Sequence, residues 1–222
     1  MLHAPKAPIV CYVTDRKSLS DGRDGASVCE KIQMAIEARV DWVQIREKDL
    51  PGREMLELAR VAVAAGRECA SSRVIVNDRL DVALAAGAAG VHLGRGSLNA
   101  RDVVPWCGSG NAPPEFLVGV SCHSLEEARE AENAGASYIF FGPIFDTPSK
   151  RGLGAPQGVT RLAEICGSVR VPVIAIGGVD ELNAEEALGA GAVGIAAIRM
   201  FQEARDADTL KRNVEKIQRN MP

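Results

Sequence analysis

The chain has 222 residues, of which 46% are hydrophobic and 25% are charged, and its formal net charge is −3. This composition is typical of a globular protein, and the mixed charges without a basic stripe argue against nucleic acid as a partner. No apolar run approaches the roughly 20 residues that cross a bilayer, and the N-terminus has no signal-peptide pattern, so we expect a cytoplasmic protein without a membrane partner.

Eight short β-rich runs alternate with longer amphipathic stretches. The predicted strands lie at 9–13, 41–45, 73–76, 90–93, 116–120, 138–141, 171–176 and 193–198. Several of these runs are almost continuously apolar, which is typical of parallel strands covered on both faces. Strands that alternate with helices predict right-handed crossovers and a parallel sheet.

Apolar residues at helical spacing mark three of the connecting segments. They are Val28, Ile32, Ala35 and Ile36 in the first, Leu56, Leu58, Val61 and Val63, less regularly, in the second, and Leu210, Val214 and Ile217 in the last. Ser124 and Glu127 have the spacing of a capping box, which predicts the start of the helix after strand five. The Gly/Pro-rich stretch 108–114 predicts a loop.

The eight units fit a closed (β/α)₈ TIM barrel, an α/β fold that we expect to form one domain over residues 1–222. The alternative is an open doubly wound sheet, which usually carries a Gly-rich dinucleotide fingerprint after its first strand. Thr14, Asp15 and Arg16 follow the first strand instead, which favours the barrel. The six cysteines have no C-x-x-C spacing, and we expect them to be reduced.

Polar residues gather where the predicted strands end, the rim at which barrel enzymes have their active sites. Gln44, Arg46 and Lys48 lie at the end of strand two, and alternation along an extended segment places all three on one side. Glu47 then points the other way. Two cations and an amide on one side predict a site for a polyanion, and the alternative is a salt-bridged strand end.

Asn77 and Asp78 follow strand three. A carboxylate beside a cationic site is a candidate Mg²⁺ ligand, because Mg²⁺ commonly takes one or two carboxylates together with phosphate oxygens. The alternative is that Asp78 only forms a turn or caps the next helix.

Two further segments suit phosphate groups. The loop after strand six contains Thr147, Ser149 and Lys150, whose hydroxyls and charge suit pyrophosphate oxygens, and the alternative is a solvated loop. Gly177 and Gly178 follow strand seven, where the backbone N–H groups of barrels frequently bind phosphate. The alternative there is a glycine turn without a ligand.

Strand five ends in Ser121, Cys122 and His123. Ser121 and His123 are predicted to share a face and Cys122 to lie opposite, which argues against a Cys–His nucleophile pair. His123 is a candidate proton shuttle, and the alternative is a hydrogen-bonding histidine at a helix start. We interpret His92, at the end of strand four, as a structural residue.

Seven stretches between Tyr12 and Phe201 resemble the thiamine phosphate synthase family in sequence and in order. They are YVTD (12–15), VQIREKD (43–49), VNDRLDVALAAGAAGVHLG (76–94), VGVSCHSLEEA (118–128), FFGPIFDTPSK (140–150), PQGV (156–159) and PVIAIGGV (172–179). The resemblance implies a transferase that joins hydroxymethylpyrimidine pyrophosphate to hydroxyethylthiazole phosphate and releases pyrophosphate, with Mg²⁺ as cofactor.

The resemblance also implies roles for single residues. The residues that it assigns to the pyrimidine pyrophosphate are Gln44, Arg46, Lys48, Asn77 and Ser121. The residues that it assigns to the pyrophosphate and the thiazole phosphate are Thr147, Ser149, Lys150 and Gly178. Asp78 becomes the Mg²⁺ ligand, and Arg46, Lys48 and Lys150 neutralise the leaving group.

The chain departs from the family pattern at two places. Ser97 stands where the family has a second Mg²⁺-binding aspartate, and Arg199 replaces a serine after strand eight. A sister branch, the thiazole tautomerases, also lacks that aspartate and uses the equivalent of His123 for proton transfer, but it tends to lose Asp78. The alternatives to the synthase are therefore a tautomerase and a non-catalytic binding protein for thiazole or thiamine phosphate. The sequence leaves open whether the chain forms a homo-oligomer.

Overall fold

A computed structural model describes residues 7–19, 27–69, 72–147 and 155–219. Eight parallel strands follow one another around a closed barrel, and β8 pairs with β1. The strands are β1 (Ile9–Val13), β2 (Trp42–Ile45), β3 (Arg73–Asn77), β4 (Gly90–Leu93), β5 (Leu117–Cys122), β6 (Tyr138–Phe141), β7 (Val173–Ile176) and β8 (Gly194–Ala197). The prediction of a (β/α)₈ barrel is confirmed, and each predicted strand is present.

Helices surround the barrel. Within the described residues they are α1 (Val28–Glu37), α2 (Gly52–Glu68), α3 (Leu80–Ala86), α4 (Ala100–Trp106), α5 (Leu125–Asn133), α6 (Gly158–Ser168), α7 (Ala184–Gly189), α8 (Arg199–Gln202) and α9 (Ala207–Arg219). A π-helical turn, Cys107–Asn111, continues α4 into the loop predicted at 108–114, but Ser109 and Gly110 have non-helical backbone angles, so the chain leaves the helix there, as predicted.

Alternation along the strands produces two apolar layers. Side chains inside the barrel form a first layer, made of Ile9, Cys11, Val13, Trp42, Ile75, Leu117, Tyr138, Phe140, Ile174 and Ala196. The opposite faces of the strands pack against the helices in a second, larger layer. The ring centroids of Trp42 and Tyr138 lie 4.7 Å apart in an edge-to-face arrangement, which closes the middle of the barrel. The described side chains therefore fill the middle of the barrel and leave space for a ligand at its ends.

The helix predictions have mixed outcomes. The predicted apolar faces of α1 and α9 are confirmed, apart from a half-buried Val28. In α2 the prediction is partly wrong, because Val61 is 54% exposed while Met55, Ala59 and Ala62 lie on the buried face. Small alanines carry little hydrophobic signal, and so the true face of α2 was harder to recognise.

The capping box predicted at the start of α5 forms only in part. Ser124 Oγ accepts the Glu127 N–H at 3.1 Å, as predicted. The Glu127 carboxylate, however, accepts the backbone N–H of His123 at 2.5 Å. A complete box occurs instead at α1, between Ser27 and Glu30.

Within the described ranges, no helix combines the length and the apolarity that crossing a bilayer requires. The single-domain organisation over residues 1–222 and the cytoplasmic location stay predictions.

Candidate active site

An open cavity of about 1460 Å³ lies at the rim where the strands end. The predicted site residues that line it are Gln44, Arg46, Lys48, Asn77, Asp78, Ser121, His123, Thr147, Gly177 and Gly178. Ser149 and Lys150 lie outside the described residues. The structure therefore brings together every predicted site residue that it describes.

The charged side chains that follow β2 point in two opposite directions. Arg46 and Lys48 point into the cavity, and the Arg46 N–H donates to Thr14 Oγ1 at 2.9 Å, which extends the pairing of β1 with β2. Glu47 points the other way, as predicted, and it is almost completely buried. Its carboxylate accepts the backbone N–H of Arg16 at 3.0 and 3.1 Å.

The two acidic residues that neighbour Arg46 and Lys48 in the sequence, Glu47 and Asp49, already have partners. The Arg16 guanidinium donates to both carboxylate oxygens of Asp49, at 2.5 and 2.8 Å, and Lys17 lies 3.0 Å from the same group. The Arg16 hydrogen bond holds the pKa of Asp49 well below its usual range. Arg46 and Lys48 form no salt bridge with any described residue. The salt-bridged alternative thus applies to Arg16, and Arg46 and Lys48 remain at the cavity without a carboxylate partner among the described residues.

Gln44 lies at the floor of the cavity and is almost completely buried. Its Nε2 donates to Asn77 Oδ1 at 3.2 Å, across the β2–β3 pairing. Its Oε1 is buried and has no hydrogen-bond partner among the described residues. A buried acceptor without a donor costs about 1–3 kcal/mol, so this oxygen is poised to accept a hydrogen bond from a ligand.

Asp78 is an exposed residue in the left-handed region, with φ 68°. Its backbone N–H donates to the His92 carbonyl at 2.8 Å, which fixes the residue at the rim. The neighbouring Arg79 guanidinium pairs with Asp81 at 2.6 and 2.9 Å. Asp78 does not cap α3 with its side chain, since that helix begins without a side-chain cap. Within the described residues its carboxylate makes no hydrogen bond and no salt bridge, and so it is available to a ligand.

The loop after β4 lies beside Asp78. Arg95 and Ser97 both line the cavity, and Arg95 is exposed. Ser97 Oγ accepts the Gly94 N–H at 2.7 Å, so this hydroxyl stabilises the turn in which it lies. No group of three or more His, Cys, Asp or Glu side chains within the described ranges could hold a metal ion without help from a ligand.

Two histidines contact the cavity from β4 and β5. His92 is buried, and its Nε2 lies 2.9 Å from Ser121 Oγ. Burial and the nearby Arg46 charge lower the pKa of His92 to about 3. His123 Nδ1 donates to the Gly142 carbonyl at 2.6 Å, which leaves Nε2 for the cavity. Cys122 is buried in the outer layer, so the prediction that it faces away from Ser121 and His123 is confirmed.

Gly177 and Gly178 have φ values of 93° and 71°, in the left-handed region that favours glycine. A Cβ on Gly178 would lie 2.5 Å from the Asp146 carbonyl oxygen, and one on Gly177 would lie 2.6 Å from Pro143 Cα. The loop after β6 therefore packs directly on these two residues. The glycines are required by this contact as well as by any ligand at the rim.

A sequence model of the family described as thiamine monophosphate synthase matches residues 10–201. The chain belongs to the thiamine monophosphate synthase family. It is similar to the thiamine-phosphate synthase of Roseiflexus sp. (37% identity, 94% of this chain and 84% of the relative). It is also similar to that of Chlorobium phaeobacteroides (34%, 96% and 97%). The solved thiamine phosphate pyrophosphorylase from Pyrococcus furiosus has a TM-score of 0.81 at 34% identity, with 95% of each chain covered.

Further residues line the cavity in this family member and were not selected from the sequence. Gln157 donates to the His123 carbonyl at 2.6 Å and so supports that histidine. Phe140 faces the cavity from β6, which alternation along the strand could have indicated. Asp15 and Lys17 reach it from the loop after β1. Their position depends on how Arg16 pairs with β2, which no local pattern reveals.

Proposed function

We propose that the chain condenses hydroxymethylpyrimidine pyrophosphate with hydroxyethylthiazole phosphate, giving thiamine phosphate and pyrophosphate. The activity is that of the synthases to which the chain is similar. The observation that supports it most is the pair of cavity cations, Arg46 and Lys48, which have no carboxylate partner among the described residues. They suit a leaving group with several negative charges.

The proposed reaction exchanges one bond for another. The bond between the pyrimidine methylene carbon and the pyrophosphate oxygen breaks, and its electron pair goes to that oxygen. The thiazole nitrogen then supplies a lone pair to the methylene carbon and forms the new C–N bond. The protein must stabilise the departing charge and hold the two reactants in line, and neither task needs a covalent intermediate.

Arg46 and Lys48 are proposed to bind the pyrophosphate, Arg46 through two parallel N–H donors and Lys48 as a point charge. They stabilise the charge that develops on the leaving oxygen. Thr147 lies in the loop after β6 and is buried at the cavity wall. Ser149 and Lys150 are proposed to complete this pyrophosphate site, on the resemblance alone.

The pyrimidine ring is proposed to lie on the cavity floor. Gln44 Oε1 is a buried acceptor that receives no hydrogen bond within the described ranges, and an aminopyrimidine carries an amino group that can supply one. A hydrogen bond from that amino group increases electron donation into the ring, which stabilises positive charge on the methylene carbon. Asn77 holds the Gln44 amide in place, and Ser121 contacts the ring from β5.

The donor set at the β3 end fits a divalent cation that a substrate helps to bind. Asp78 supplies one carboxylate free of hydrogen bonds and salt bridges with described residues, and Mg²⁺ is commonly held by one or two carboxylates, waters and phosphate oxygens. We therefore propose Asp78 as its protein ligand. When bound, Mg²⁺ would neutralise part of the pyrophosphate charge. Ser97 Oγ already accepts a backbone N–H and adds no carboxylate to the site.

The thiazole phosphate is proposed to bind beside β7 and β8. The backbone at Gly177 and Gly178 lines the cavity there, and loops in this position of barrels frequently bind phosphate through N–H groups. Arg199, exposed at the start of α8, lines the same part of the cavity and adds positive charge.

His123 is proposed to act on the thiazole side rather than on the pyrophosphate. Its Nδ1–H is used by the Gly142 carbonyl, so Nε2 is an acceptor that faces the cavity. In the tautomerase alternative this nitrogen would move a proton between two carbon atoms of the thiazole. The synthase reaction requires no such transfer, and there His123 only positions the ring.

The test is an assay of the purified chain with both substrates, Mg²⁺ and a chelator control. We expect thiamine phosphate and pyrophosphate in equal amounts. A metal-independent isomerisation of the thiazole that His123→Asn abolishes would support the tautomerase instead. Product binding in calorimetry without turnover would support a non-catalytic protein.

Sedimentation of the same sample decides whether the chain forms a homo-oligomer. Fractionation of cells tests the proposed cytoplasmic location.

A further inference from the structure

Three side chains from neighbouring strands form a continuous hydrogen-bonded chain inside the barrel. Tyr138 on β6 lies 3.1 Å from His92 Nδ1, measured from its hydroxyl oxygen. His92 on β4 lies 2.9 Å from Ser121 Oγ on β5, measured from Nε2. Tyr138 is fully buried, His92 is 1% exposed, and Ser121 is half-buried at the cavity wall. The chain of bonds therefore leads from the packed interior to the floor of the site.

The rings of this chain are held tightly. The centroids of His92 and Phe140 lie 4.3 Å apart, and Tyr138 packs edge-to-face on Trp42 at 4.7 Å. A Cβ on Gly119 would lie 2.4 Å from the Tyr138 hydroxyl oxygen, so only glycine at that position leaves room for the phenol. These contacts leave the phenol and the imidazole little freedom to turn.

The direction of the hydrogen bonds follows from burial. Within the described residues, His92 is the one hydrogen-bond partner of the Tyr138 hydroxyl. If Tyr138 accepted from Nδ1–H, its own proton would be buried without an acceptor among the described residues, which is costly. Tyr138 therefore donates to Nδ1.

The same reasoning extends to Ser121. A buried imidazole without a carboxylate partner is neutral and carries a single N–H. With Nδ1 accepting from Tyr138, this N–H is on Nε2 and donates to Ser121 Oγ. Since that bond occupies one lone pair of the serine oxygen, the Ser121 O–H is directed away from His92, into the cavity.

We propose that Tyr138 and His92 are positioning residues that present Ser121 to the substrate as a hydrogen-bond donor. Together with the acceptor Gln44 Oε1, this makes the floor of the site selective for a 4-aminopyrimidine. A ring nitrogen of that base accepts from Ser121, and its amino group donates to Gln44. A 4-oxopyrimidine offers a carbonyl where Gln44 needs a donor and carries N–H groups on its ring. The inference rests on the proposed function, because it assumes that the pyrimidine binds at this floor.

The test compares the binding of the two pyrimidine pyrophosphates by calorimetry. A site built to pair with polar groups rejects a ligand with mismatched groups, and we expect the wild-type chain to prefer the amino compound by roughly 10–100-fold. Tyr138→Phe keeps the ring and removes the donor, so His92 is no longer held in one tautomer. We expect this variant to lose most of the preference, mainly through weaker binding of the amino compound.

Tyr12→Phe is the matched control. Tyr12 is also a buried tyrosine, but it lies in the outer layer and packs against Phe201 with ring centroids 4.9 Å apart. Removing its hydroxyl leaves His92 and Ser121 untouched, and we expect the preference to stay within about twofold of the wild type. An equal loss in both variants would mean a general effect of the missing hydroxyl and would overturn the proposal.

A second readout does not depend on any variant. The ¹⁵N NMR shifts of His92 in the wild-type chain should be those of a neutral imidazole with its proton on Nε2. A proton on Nδ1, or an imidazolium, would overturn the proposal. A Tyr138→Phe variant that still prefers the amino compound as strongly as the wild type would also overturn the proposal, even if it forms thiamine phosphate. If the preference and the tautomer are as expected but no product forms, the proposed function fails and the role of the two positioning residues stands.

Discussion

The amide of Gln44 donates to Asn77 Oδ1 at 3.2 Å, and its own Oε1 is buried without a donor from any residue that the structure describes. The barrel thus contains a polar group whose burial is a cost to folding and whose pairing requires a ligand. Such a group is better explained by binding than by stability, because an apolar residue of the same size would fold at lower cost.

Gln44→Met should separate binding from stability. The change removes the buried acceptor and keeps an unbranched side chain of similar length, so we expect kcat/KM for the pyrimidine pyrophosphate to fall roughly 10–100-fold. The free energy of unfolding should stay the same or rise, because Asn77 Oδ1 is only half-buried and can bind water. Steady-state kinetics measure the fall in kcat/KM, and thermal unfolding measures the change in stability. A large loss of stability with normal kinetics would show that Gln44 is structural.

The cavity cations should matter for the rate more than for folding. Arg46→Gln and Lys48→Gln each remove a charge that faces the leaving group, and we expect kcat to fall about 10²–10³-fold in each. Arg60→Gln and Lys211→Gln are matched controls on the exposed faces of α2 and α9, and they should stay within about twofold. Equal small losses in all four variants would contradict a direct role for Arg46 and Lys48.

Gly178→Ala should disturb the packing of the loop after β6 against the end of β7. The new Cβ would lie 2.5 Å from the Asp146 carbonyl at a φ of 71°, so the loop after β6 must move, and we expect stability to fall by about 1–3 kcal/mol together with activity. Gly167→Ala is the control, since a Cβ in that turn of α6 meets nothing within 4 Å. There we expect a gain of about 0.5–1 kcal/mol. Urea unfolding measures both, and a stable, active Gly178→Ala would contradict the packing described.

The exposed and the buried cysteines should react with a thiol reagent at different rates. Cys29 and Cys69 are exposed, whereas Cys11, Cys107 and Cys122 are buried. Burial raises the pKa of Cys122 to about 12 and that of Cys166 to about 11, which disfavours the thiolate that reacts. We expect a thiol reagent to label two cysteines rapidly in the native protein at neutral pH and all six after unfolding. Rapid labelling of Cys122 would contradict its place in the outer layer.

Ser97→Asp should restore a second carboxylate beside Asp78. An added carboxylate strengthens the binding of a hard cation, so we expect half-maximal activity at a Mg²⁺ concentration roughly 10-fold lower or more. The loss of the Ser97–Gly94 hydrogen bond lowers stability slightly, which thermal unfolding records. Ser97→Ala, which loses that bond without adding charge, is the control. Equal Mg²⁺ requirements in the aspartate and alanine variants would contradict the proposed metal position.

Alternation predicted much of the site from the sequence. It placed Gln44, Arg46 and Lys48 on one side of β2 and Glu47 on the other, because two-residue periodicity is a local property of extended backbone. The partners of these residues were not predictable. The pairing of Arg16 with Asp49 depends on the path of the chain after β1. The bond between His92 and Ser121 joins two strands, and His92 was read from the sequence as structural.

The contacts of Gly177 and Gly178 also could not be predicted from the local sequence. The sequence indicated that Gly177 and Gly178 allow a close approach of the backbone, but not what approaches them. The loop after β6 packs against both residues, and this contact exists only because the closed barrel brings β6 and β7 side by side. In α2, the small residues Ala59 and Ala62 hid the buried face for a simpler reason, since their weak hydrophobic signal was outweighed by Val61.

The central claim is that one rim binds both phosphorylated substrates and joins them. The most direct measurement is a single turnover, with the protein in excess over labelled pyrimidine pyrophosphate and with Mg²⁺ and thiazole phosphate added together. We predict that thiamine phosphate and pyrophosphate appear at the same rate and in equal amounts, and that Arg46→Gln slows both alike. Unchanged pyrimidine pyrophosphate in the wild-type reaction would contradict the claim.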